Sequence, residues 1–265
     1  VGSIRGAMLT ITNFAAISAP FMSSQIFNLI GYSGIFIISA LSLIPLFLIS
    51  KIFFKSIQEP KYKFINLFDS MRIVVKNKNI RGVFVSSFIL NSFYAALNIY
   101  LALYLIKILH IPMVLYLEML VPITLIPFIL VPYKLGKYAD EVFGEKKPIF
   151  FGIILMSIIM SSIYIFNIST TNIFIWIVLI FIARLGATIT ETGNYTYFYK
   201  GVDSRNAGLI AFFQNIVNIG SLFITILGVI LLDLLNLDIK LIFLFVGLLG
   251  FLSLFIIIKI KDREI

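Results

Sequence analysis

Eight stretches of this sequence are apolar on almost every side for long enough to cross a lipid bilayer, and that feature limits the chain to very few folds. They run at about 6–28, 34–54, 82–106, 113–133, 149–167, 173–198, 207–232 and 241–258. A bilayer core takes helices of roughly 20 apolar residues. A helix of that length in a soluble protein needs a polar face towards water, and most of these segments have none. Hydrophobic residues make up 60% of the chain and charged residues only 12%, whereas a soluble domain carries about twice that share of charge. The expected fold class is therefore an all-α, polytopic membrane helix bundle. Pro20, Pro45, Pro122 and Pro127 fall inside segments, which membrane helices tolerate when neighbours satisfy the freed backbone groups.

The charges sort by side. All but three of the 21 basic residues fall in loops or helix ends on one side, the exceptions being Lys107, Arg184 and Lys240. By the positive-inside rule both ends of this chain face the cytoplasm of an inner, cytoplasmic membrane. The net charge of +9 then reports topology and phospholipid contact, and no nucleic-acid partner is expected. The chain has no cysteine and one histidine, His110, so no metal or cofactor is expected. Neither H-E-x-x-H nor a P-loop occurs, and no enzyme activity is expected. The chain opens on Val1 rather than methionine, which suggests a piece of a longer protein. In the one long loop, 55–81, Phe64, Phe68, Met71 and Val75 recur at helical spacing opposite Lys63, Arg72, Lys76 and Lys78. That pattern reads as an amphipathic helix on the membrane surface, with Asn66 placed to cap it, and equally as a connector.

Polar residues inside the membrane form stripes. The third segment carries Ser87, Asn91, Tyr94 and Asn98, the sixth Arg184, Thr188, Glu191 and Tyr195, and the seventh Gln214, Asn218, Ser221 and Thr225. Each set lies on one helix face. The second, fifth and eighth segments hold little that is polar beyond serines such as Ser157, Ser161 and Ser253, which places them outermost. Arg184, Glu191, Asn91, Asn98, Gln214 and Asn218 are expected to face one interior cavity, because an intramembrane charge towards lipid costs about 2.5–3.5 kcal/mol or more. Arg184 suits an anionic or carbonyl-bearing solute group, and Glu191 a proton; a structural polar network explains both as well. Glu118 fits a proton or gate role, or a carboxylate reaching outer water. The asparagines, Gln214 and Tyr195 fit solute contact, interhelical bonding or an interfacial aromatic belt.

The loop after the fourth segment reads KLGKYADEVFGEKK. Gly136, Asp140, Gly144, Lys146 and Lys147 occur in the order of G-x-x-x-D-x-x-x-G-x-K-K, which resembles the cytoplasmic signature of the major facilitator superfamily. The spacing fits this looser form and departs from the family's stricter pattern by one extra residue between the aspartate and the second glycine, and Glu145 stands where a basic residue is common. The resemblance implies helices numbered five to twelve. Residues 1–54 would be the last two helices of an N-terminal half, 55–81 a cytoplasmic connector, and 82–265 a six-helix C-terminal half. Ala15, Ala19, Pro20, Ser23 and Ser24 resemble a small-residue run that the family shows in helix five of antiporters, although close packing explains them as well. The resemblance implies secondary transport of a small solute by alternating access, coupled to a proton, in a monomer. Asp140 would act on the start of the seventh segment near Asn206–Gly208. The rival reading is a sensor or scaffold of the same fold, and paired carboxylates beside a nucleophile would instead mark a membrane enzyme.

Overall fold

The computed structural model describes residues 2–53, 66–138, 144–202 and 206–261, with the backbone alone at 2–10, 21 and 67. Every regular element among them is helical. Eight helices follow in order: α1 (Gly2–Phe53), α2 (Leu67–Lys76), α3 (Lys78–Ile108), α4 (Met113–Tyr138), α5 (Lys146–Ile165), α6 (Ile173–Gly201), α7 (Ala207–Leu234) and α8 (Lys240–Ile257). All but α2 contain a stretch long and apolar enough to cross a membrane, seven in total among the described residues. The sequence divides the first of these into two segments. The break falls at Gly31, between those two segments, where φ +66° lies outside the helical range. A glycine adopts that conformation without the steric penalty a Cβ would bring.

Helices α3, α5, α6 and α8 form the tightest part of the bundle, with α7 laid on α3 and α4 between α6 and α1. Small residues let the backbones approach. A Cβ on Gly186 of α6 would stand 2.7 Å from the Gly152 carbonyl of α5, and one on Gly247 of α8 would stand 2.1 Å from Ser161 Oγ. Ser157 and Ser161 are buried in this seam. Thus α5, which its apolar composition places outermost, has one face in the closest contact of the bundle and shows Phe151, Ile158, Tyr164 and Ile165 outwards. Without a hydrophobic drive between helices in lipid, such close van der Waals contact is the main source of cohesion.

Each end of the bundle is closed by its own bonds. At one end the Tyr104 hydroxyl donates to Ile168 O at 2.8 Å, Trp176 Nε1 donates to Thr170 O at 2.8 Å, and Lys240 Nζ reaches Asn167 and pairs with Asp238 at 3.2 Å. At the other, Lys200 pairs with Glu145 at 2.6 Å, and the backbone N–H of Lys261 donates to Asn79 Oδ1 at 3.0 Å. The α2 helix joins this second end, packed on α3 and α7. Asn66 occupies its N-cap position but makes no side-chain capping bond. The cap that forms is one helix later, where Asn77 Oδ1 accepts from the N–H groups of Asn79 and Ile80.

Candidate functional site

Polar groups of α3 and α6 meet inside the bundle. The Tyr94 hydroxyl donates to Glu191 Oε2 at 3.0 Å, and Ser86 Oγ donates to Asn194 Oδ1 at 2.8 Å. One turn from Tyr94, Asn91 turns its Nδ2 back to the Ser87 carbonyl at 2.7 Å. Ser87, Asn91, Glu191, Asn194 and Tyr195 border a cavity of about 20 Å³, which Phe213 and Val217 of α7 complete. That volume is about the space of one water molecule. In this conformation the centre is too small to hold a solute.

Arg184 stands two turns from Glu191 on the same helix, about 10 Å along the axis. Its side chain is buried, its Nη1 has no hydrogen-bond partner, and the Tyr94 and Tyr116 hydroxyls lie within electrostatic reach. Tyr94 thus lies within electrostatic reach of both charged residues of the stripe. Asn194 Nδ2 is likewise buried and unpaired. A buried polar atom without a partner is costly to maintain, and it is where a ligand oxygen gains most.

The gathering of six stripe residues round one cavity is realised only in part. Asn91 and Glu191 border it, Arg184 is buried further along, and Asn98, Gln214 and Asn218 are exposed. The cause is the rotation of α7, which packs on α3 through Phe213, Gly220 and Ile224. Gln214, Asn218, Ser221 and Thr225 lie about 100° round the helix from that contact. Their own bonds are local or peripheral: Gln214 Nε2 to the Tyr199 hydroxyl at 3.4 Å and Asn218 Nδ2 to Asn215 Oδ1 at 3.5 Å.

Glu118 has found a partner helix. Its Oε1 accepts from Ser24 Oγ at 2.8 Å and from Gln25 Nε2 at 3.1 Å, both on α1. Asn13 adds a second tie between α1 and α4 by donating to Phe128 O at 2.9 Å. Sequence pattern missed these links and the Ser86–Asn194 bond, since spacing reveals a face but no partner. It also assigns the tyrosines after Thr190 to an interfacial belt. Tyr197 and Phe198 are instead core residues, with Phe198 stacked on Phe213 at 3.9 Å. His110 is exposed in a loop, as its neighbours Ile111 and Pro112 suggest.

In the signature loop, Gly136 is buried at the end of α4, and Gly144 takes φ +71°, a conformation that suits glycine. Glu145 is buried and ties the loop to Lys200 of α6, which accounts for an acid at that position. Lys146 and Lys147 open α5. Asp140, and with it the expected contact to Asn206–Gly208, lies outside the described residues. The model of the Major Facilitator Superfamily matches residues 2–217, from α1 into α7. The chain belongs to this superfamily. Comparison with curated proteins and with solved structures gives no match to either. As a member of the major facilitator superfamily it is a multi-pass membrane protein of a transporter family, and the motif, the Glu191 centre and Arg184 all fall inside the matched region.

Proposed function

We propose that the chain serves secondary active transport of a small solute across the cytoplasmic membrane by alternating access, working as a monomer with both ends cytoplasmic. The observation that carries this reading is the exposed polar stripe of α7. Gln214, Asn218 and Thr225 are open on a helix that is otherwise strongly apolar. Polar side chains at this depth are unfavourable towards lipid, so that face, with Asn98 of α3, borders a water-filled path. Arg184 supplies an unpaired guanidinium donor for a carbonyl or anionic group of the solute. Glu191 carries the coupled proton: Tyr94 donates to the carboxylate when it is charged, and protonation removes the charge before the centre closes. Glu118 with Ser24 and Gln25 holds α1 against α4 and acts as a gate contact, and Asn91 and Tyr195 shape the centre.

The test uses the absence of native cysteine. A thiol reacts as thiolate and therefore needs water. With the protein in membranes, Gln214→Cys and Asn218→Cys should react with a membrane-impermeant maleimide at least tenfold faster than Phe223→Cys, which lies on the opposite side of α7 and is also exposed. Equal rates at all three positions would remove the wet path and the transport reading with it.

A further inference from the structure

We propose that the cleft between α2 and the segment following α8 binds the phosphate headgroup of an anionic membrane lipid. The cleft holds about 900 Å³ and is bordered by Asp69, Arg72, Lys76, Lys78, Lys259 and Lys261. Five cations thus surround one carboxylate, and among the described residues none of the five has an ion-pair partner. Like charges at such density repel one another, and an anion between them relieves the repulsion.

The walls are built. Ile260 is buried against Gly82, where an added Cβ would come within 2.4 Å of its Cγ1. Next to that anchor the Lys261 N–H donates to Asn79 Oδ1 at 3.0 Å, and the Tyr197 hydroxyl donates to the Lys261 carbonyl at 2.9 Å. Arg81 Nη1 donates to the Val75 carbonyl at 3.1 Å, and Asn77 caps α3, so the α2–α3 corner is fixed as well. These bonds bring Lys259 and Lys261 to the cleft opposite the cations of α2, and leave all five charged heads free.

Depth and neighbouring surface favour a lipid over a free anion. The α3 span begins at Lys78 and the α8 span ends at Ile257, so the cleft lies where two membrane helices emerge, at headgroup level. The α2 helix has three faces. Ser70, Ile73 and Val74 pack inwards, Arg72 and Lys76 edge the cleft, and Phe68, Met71 and Val75 are exposed beside them. An apolar strip next to a basic one is the pattern of a helix seated at a lipid interface, where the acyl chains of a bound lipid would meet Phe68 and Val75.

The test is native mass spectrometry of the purified protein titrated with dioctanoyl phosphatidylglycerol or dioctanoyl phosphatidylcholine. The anionic lipid should be retained at least tenfold more tightly. The triple variant Lys76→Gln/Lys259→Gln/Lys261→Gln, in which all three replaced residues are exposed, should keep its thermal midpoint and lose the preference. Lys134→Gln/Lys137→Gln, on the α4 end of the basic side, should retain it. Equal binding of the two lipids, or an unchanged preference in the triple variant, overturns the site. Displacement of phosphatidylglycerol by an equal concentration of inorganic phosphate overturns the lipid assignment in favour of a soluble phosphate.

Discussion

Arg184 and Glu191, two turns apart on α6, concentrate the chemistry of this chain in a few atoms. Glu191 receives a hydrogen bond from Tyr94, whereas Arg184 Nη1 has no acceptor to donate to. On the proposed transport reading, the asymmetry predicts different phenotypes. Glu191→Gln keeps the shape and the Tyr94 contact but cannot release a proton, so solute exchange should persist while uptake ceases to respond to an imposed pH gradient. Arg184→Ala should weaken solute binding by roughly 10- to 100-fold, the size of one lost hydrogen bond to a charged group at about 1.5–3 kcal/mol, with pH-gradient dependence retained. Unchanged affinity in Arg184→Ala, measured by equilibrium binding of a labelled solute, reduces that residue to a structural member of the bundle. The phase of polar residues made Glu191, Arg184 and Asn91 legible in the sequence. Rotation about each helix axis did not appear there, because a stripe of period 3.6 is unchanged by turning the helix. Gln214 and Asn218 have the same phase logic as Asn91 and yet lie on an exposed face, since Phe213 and Gly220 decide how α7 meets α3.

Among the helices, cohesion resides in backbone approach. Gly152 and Gly186 bring α5 and α6 together so closely that a methyl group at either would press on the other's carbonyl, at 2.4 and 2.7 Å. Backbone atoms on both sides cannot turn away as a flexible side chain can, so Gly186→Ala should destabilise the bundle by about 1–3 kcal/mol, the usual cost of overpacking. The thermal midpoint in detergent should fall; an unchanged midpoint would show that the α5–α6 seam is looser than these distances. Element boundaries were legible wherever loops carry charge, as at Lys78 and Lys146. The corner between α2 and α3 was not, because Asn66 and Asn77 are both suitable caps and only the second finds free N–H groups in reach. The division of α1 was legible, since the break between the segments at 6–28 and 34–54 falls at Gly31, where φ +66° interrupts the helix.

Across the whole molecule, the distribution of basic residues and the arrangement of the ends agree. Lys107, His110, Asn167 and Lys240 belong to loops at one end, where Tyr104 and Trp176 tie the chain together, while Asn79, Glu145, Lys200 and Lys261 belong to the other. The first end has two lysines and the second nearly all the remaining basic residues. Translocating each of those cations across the bilayer is unfavourable, and on that ground the proposed orientation puts the basic end in the cytoplasm. Single cysteines test this on a chain that has none of its own. Thr171→Cys, in the exposed turn before α6, should react with an impermeant maleimide added outside intact cells; Lys137→Cys, at the exposed end of α4, should react only after the membrane is opened. Neither position makes a side-chain bond that the substitution would break, so the labelling pattern reads topology alone. The reverse pattern would invert the chain in the membrane, place the signature loop outside, and leave the basic cleft of α2 facing the leaflet with fewer anionic lipids.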